Sequence, residues 1–145
     1  MNWKAEAAEK LSNYYPMRQA VQNIPEEIRR LEADAKALTG VRADKIVVKG
    51  NGGKREDRLM ENLIQRQELS HRLKQALSWV KMTDKALEVL TPDEKLILYR
   101  MYIRQEKDSM QRLMSELGVE QASIYRKREK ALYRFTTALY GIADA

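Results

Sequence analysis

A chain of 145 residues holds one compact domain or two small lobes, and apolar side chains at 43% allow a modest helical core. Without cysteine there are no disulfides and no thiolate metal sites; with no run as long as a membrane span and no apolar leader, a soluble cytoplasmic protein with no membrane partner is expected. The net charge of +6 suits a polyanion, and it is unevenly spread: seven cations oppose three anions in residues 36–60, and five oppose two in residues 120–140.

In chain order, Trp3, Ala7, Leu11 and Tyr14 recur at helical spacing and mark a short first helix. Pro16 opens a second that carries Met17, Ala20, Val21 and Ile24. Pro25 is expected to break that pattern, and Asn23 with Glu26 has the spacing of a capping box. A new helix is therefore predicted, with Ile28, Leu31, Ala35 and Leu38 inward and Gly40 as its stop. Residues 40–55 read as a long irregular segment: Ile46, Val47 and Val48 suit a short extended piece, and "KGNGGKR" is too rich in glycine for regular structure.

From about Asp57 a long helix is predicted as far as Glu88, with Thr83 and Asp84 as an alternative break point. Its apolar stripe starts as Leu59, Met60, Leu63 and Ile64, then shifts after Gln65–Gln67 to Leu69, Leu73, Leu77 and Val80. A stripe that changes face needs two covers. The helix ending at Leu38 is expected to cover the first half; the N-terminal helices, the C-terminal helices or a second subunit would cover the rest, so a homodimer is one expectation.

The C-terminal segment carries the clearest signals. Thr91 suits an N-cap, Pro92 the first helical position, and Glu94 the reciprocal place in a capping box. Ile97, Leu98 and Met101 form a stripe that ends at the polar run Arg104–Asp108. Ser109 is expected to cap the next helix, with Met110, Leu113, Met114 and Leu117 inward. Gly118 follows as a residue able to take left-handed backbone, and Val119 plugs the turn. A third helix starts at Gln121, with Ile124, Ala131, Phe135, Ala138 and Ile142 inward and Ala122, Tyr125, Arg126 and Glu129 outward.

That outward side has the side chains a DNA groove needs: Gln and Arg pair with base edges, Tyr offers a hydroxyl and a ring, and "RKREK" supplies cations for phosphates. A plain three-helix bundle with a solvated basic face is the alternative. Three short helices with a glycine turn and a basic third helix favour a helix-turn-helix that binds double-stranded DNA.

"LTPDEKLILYRMYI" followed by "SMQRLMSELGVEQASIYRKREKAL" resembles region four of bacterial primary sigma factors, over about the last third of the chain. The whole chain is similar to small phage-encoded regulators of the ArpU and RinA type, through "NIPEEIRRLE", "VVKGNGGKREDRLMENLIQR" and the closing Tyr140–Gly141. The resemblance implies that Gln121, Ala122, Ser123, Tyr125 and Arg126 read DNA. Lys127, Arg128 and Lys130 extend this set as phosphate contacts, and Lys49, Lys54 and Arg55 offer a second phosphate contact. Departures from the pattern are Glu120 where Ser or Thr usually caps the recognition helix, Met114 in place of a small residue, and Lys127 where an apolar residue is common.

Other constellations carry less. "GNGGKR" departs from a phosphate-binding loop, since no glycine lies five residues before Gly53 and Arg55 replaces the Ser or Thr that holds magnesium. His71 is the sole histidine and sits on a charged face. Glu26, Glu27, Glu32 and Asp34 read as solvated charge, and Trp3 and Trp79 as core or interface anchors. No nucleophile, base and orienter assemble, so neither an enzyme, a metal nor a cofactor is expected. The expected fold is all-α: an N-terminal helical hairpin or bundle (1–88) with a basic Gly-rich loop and a long connecting helix, then a sigma-region-four-like helix-turn-helix (89–145). The expected function is that of a phage or prophage transcriptional regulator, with RNA polymerase as a possible partner. Its alternatives are a small-terminase-like DNA-packaging subunit and a helical adaptor that binds protein.

Overall fold

The computed structural model describes residues 2–44 and 51–141. Among these there are six α-helices and no strand: α1 (Trp3–Ser12), α2 (Tyr14–Asp44), α3 (Asn51–Glu88), α4 (Pro92–Leu98), α5 (Ser109–Leu117) and α6 (Gln121–Tyr140). The all-helical class is as expected. A single π turn, Tyr99–Ile103, continues α4. No helix among the described residues is long and apolar enough to cross a membrane.

Contacts group the chain into two compact units, Met1–Arg18 with Ser78–Ala145, and Gln19–Leu77. The partition suggested by sequence lay at residues 88 and 89. The unit that holds α4, α5 and α6 also takes in α1 and the last turns of α3, because their apolar side chains share its core.

That first unit has two apolar clusters. In one, Ala7 and Leu11 of α1, Tyr14, Ala86, Leu90, Leu98 and Ile103 surround Ala131, Leu132 and Phe135 of α6. In the other, α4, α5 and α6 each contribute one fully buried side chain, Ile97, Leu113 and Ile124, flanked by Met110, Met114, Leu117 and Val119. Burying a Leu, Ile or Phe from water stabilises by about 1.5–3 kcal/mol each, so these residues hold α4 and α5, which are too short to persist alone.

In the second unit, α2 and α3 meet through a polar bond, with Asn62 Nδ2 donating to the Leu31 carbonyl (2.8 Å) and Arg66 Nε donating to Asn62 Oδ1 (2.7 Å). Asn62 is buried, so an unmade bond there would cost about 1–3 kcal/mol.

The expected break at Pro25 fails because a continuous apolar stripe overrules the local breaker. No helix starts at Pro25; α2 runs through it and past Gly40 to Asp44. Val21, Ile24, Ile28, Leu31, Ala35 and Leu38 keep a spacing of three and four residues across Pro25, and all are buried or half-buried. One lost N–H does not outweigh that burial. α3 begins at Asn51 rather than Asp57, so the expected irregular segment does not extend to residue 55. The extended piece at Ile46–Val48 lies outside the described residues.

α3 does not break at Thr83 or Asp84. Thr83 is fully buried and its hydroxyl donates to the Trp79 carbonyl, while Asp84 accepts from the Tyr14 hydroxyl. Of its second stripe, Val80 packs on the first cluster, Leu69 and Leu73 are half-buried, and Leu77 is exposed.

α4 starts as expected, with the Thr91 hydroxyl accepting from Glu94 N (3.2 Å) and Glu94 Oε1 accepting from Thr91 N (3.0 Å). α5 does not start as expected. Ser109 is its first helical residue, Asp108 holds the cap position without a side-chain bond, and the Ser109 hydroxyl accepts from Glu106 N instead. In α6, Ala138 is exposed rather than inward, and Leu132 and Thr136 are buried in its stead. The seven-residue step from Ala131 to Ala138 drifts by about 20° from an α-helical face.

Gly118 closes α5 in the left-handed region, φ 64° and ψ 37°, and its N–H donates to the Met114 carbonyl. A Cβ there meets nothing within 4 Å, so a substitution is penalised by backbone strain and not by collision. Gly118→Val is expected to cost about 1–2 kcal/mol and Gly118→Asn distinctly less, because asparagine tolerates this region. Denaturant unfolding of both variants checks this; equal losses would mean that φ is not what limits the position.

Candidate nucleic-acid interface

α6 is anchored along one side, which leaves the other side of its first half in solvent. Ile124, Ala131, Leu132 and Phe135 face the clusters, while Gln121, Ala122, Tyr125, Arg126 and Lys130 are exposed. Residues three and four apart are neighbours on a helix, so Ala122, Tyr125, Arg126 and Glu129 form one strip, with Lys130 one turn beyond Arg126.

Polar contacts within the strip hold its side chains. Gln121 Nε2 donates to the Tyr125 hydroxyl (3.2 Å) and Arg126 Nη2 donates to Ser123 Oγ (3.0 Å). Both Gln121 and Arg126 are themselves exposed. Among the described residues Arg126, Lys127 and Lys130 are in no ion pair. Ser123 and Lys127 are half-buried at the edge of the strip.

Arg128 sits differently from its neighbours. It is half-buried, its guanidinium lies 4.9 Å from the Tyr125 ring centroid, and its Nη2 donates to Glu129 Oε1 (3.1 Å). Lys54 is exposed and Arg55 half-buried on α3 in the other compact unit, and Lys49 lies outside the described residues.

Three contacts that sequence reasoning missed surround this strip. Glu129 pairs with Lys4 Nζ of α1 at 2.5 Å, Trp3 meets Tyr133 edge to face at 5.9 Å, and Arg134 Nη1 reaches Glu94 Oε1 at 2.7 Å. Arg134 also donates to the Val89 carbonyl. Glu94 thus both caps α4 and ties it to α6. No local pattern signals such pairs, which join residues far apart in the chain.

Glu129 is the one acidic side chain in α6. The Lys4 ammonium holds its carboxyl below the ordinary carboxylate range, Arg128 adds to this, and partial burial opposes them. Burial pushes the nearby Tyr102 hydroxyl up, which keeps it neutral.

Gln, Arg, Tyr and lysines that form no ion pair among the described residues lie along this helix strip and its edge, with donors that suit base edges and cations that suit phosphates. Compared with protein-family models, with curated proteins and with solved structures, the chain matches none.

Because its folded value is depressed, the Glu129 pair contributes its stability above the ordinary carboxylate range and loses it as pH falls through the lowered value. NMR titration of the Glu129 carboxyl is expected to show a midpoint below that of a solvated glutamate, and Lys4→Gln to move it upward. An unmoved midpoint would mean that Lys4 does not hold the charge.

Proposed function

We propose that the protein is a sequence-specific binder of double-stranded DNA, with α5, the Gly118 turn and α6 as a helix-turn-helix and α6 as the helix laid in the major groove. The observation that carries this reading is the exposed strip Gln121, Ala122, Tyr125, Arg126 and Lys130, whose cations have no ion-pair partner among the described residues. The strip follows directly on a left-handed glycine turn, and helix, turn and helix are packed on α4 through Ile97, Leu113 and Ile124. A groove-reading helix needs that rigidity, because base contacts demand fixed side-chain origins.

The roles divide by chemistry. Arg126 reads a guanine through its O6 and N7, Gln121 suits an adenine, and Tyr125 offers a ring to a thymine methyl or a hydroxyl to a phosphate. Lys127 and Lys130 contact phosphates and set register. Regulation of transcription beside RNA polymerase rests on the resemblance of the C-terminal third to sigma region four.

Binding to a duplex selected from a random-sequence pool tests the assignment. Arg126→Ala is expected to cost about 1–3 kcal/mol and relax preference at one base pair. Lys130→Ala should weaken all sequences alike and lower the salt slope by about one unit. If both variants bind as the parent does, α6 is not the DNA-reading element; if the parent binds no duplex at low salt, the DNA reading fails.

A further inference from the structure

The strip on α6 carries one charge of the wrong sign for DNA, and a helix distant in sequence cancels it. Glu129 lies three residues after Arg126 and one before Lys130, on the side that faces solvent, and its side chain keeps 40% of its exposure. A bare carboxylate there would stand within about 10 Å, one Debye length, of the phosphates that Arg126 and Lys130 approach. Lys4 Nζ takes Oε2 at 2.5 Å and Arg128 takes Oε1 at 3.1 Å, so both oxygens are engaged.

Lys4 is delivered by a packed helix. Asn2 caps α1 by accepting from Ala5 N, Ala7 and Leu11 are fully buried against α6 and its neighbours, and Trp3 lies edge-on to Tyr133 of α6. An exposed pair of this kind adds little to stability, about 0–1 kcal/mol, so stability does not account for it. Arg128 engages only Oε1 and also lies against the Tyr125 ring, so Oε2 is left to Lys4.

We propose that Lys4 is a positioning residue of the DNA surface: by neutralising Glu129 it removes the one repulsive charge from the α6 strip, so that the N-terminal helix α1 sets how tightly α6 holds a duplex. This rests on the DNA-binding reading above. Lys4 acts through Glu129 and makes no phosphate contact of its own.

The test is a double-mutant cycle on the full chain, with the selected duplex as probe and Kd read across a salt series. Lys4→Gln is expected to weaken binding about three- to tenfold at low salt, a loss that shrinks as added salt screens the uncovered carboxylate. Glu129→Gln is expected to bind at least as tightly as the parent, and adding Lys4→Gln to it should cost less than about twofold, because the charge it masks is gone. Lys4→Arg should keep parental affinity, and it serves as the readout if Lys4→Gln unfolds. Parental affinity for a folded Lys4→Gln overturns the proposal. So does an equal loss in both backgrounds with the slope reduced by about one unit, which marks a direct phosphate contact. Arg126→Ala, run alongside, separates the two levels: if it weakens binding and Lys4→Gln does not, only this proposal fails, and if neither changes it, the DNA reading fails as well.

Discussion

Ile97 and Leu98 are adjacent, both fully buried, and belong to different apolar clusters. On a helix neighbouring side chains diverge by about 100°, so this pair makes α4 the wall between two cores. One core joins α4 to α5 and the start of α6; the other joins it to α1, the end of α3 and the middle of α6. α6 is therefore gripped at Ile124 and again at Ala131, Leu132 and Phe135. Its direction is fixed by two separated anchors, and the strip from Gln121 to Lys130 is what both cores leave outside.

The polar contacts serve the same end. Glu94 completes the Thr91 capping box and takes Arg134 of α6, while Arg100 of the π turn pairs with Glu116 of α5 at 2.6 Å. Each is partly shielded, and each ties two elements whose relative placement decides where the strip points. Surface pairs such as Arg112 with Asp108, or Arg30 with Glu27, hold only their own helices.

What could be read from the chain was what depends on a few consecutive residues. The Thr91–Glu94 cap and the Gly118 turn are set by backbone chemistry within one helical turn, and the structure has both as expected. Pro25 misled because a breaker acts on one bond, while the stripe from Val21 to Leu38 gains burial at every third or fourth position. Ser109 misled because its hydroxyl bonds Glu106 N, outside the helix it was expected to cap. Of the strip itself, the outward placing of Ala122, Tyr125, Arg126 and Glu129 followed from helical arithmetic, while Gln121 came from the resemblance and Lys130 from the cationic run. The part played by α1 was not legible, since the Lys4–Glu129 pair exists only once Ala7 and Leu11 have docked.

The central claim is that the outward strip of α6 meets duplex DNA. Backbone amide NMR of the full chain, titrated with a selected duplex, tests it most directly because it reports every helix at once. The account predicts the largest shift changes at Gln121–Lys130, smaller ones at Lys4 and the Gly118 turn, and little change from Gln19 to Leu77. Changes confined to α2 and the first half of α3, with α6 silent, would contradict it.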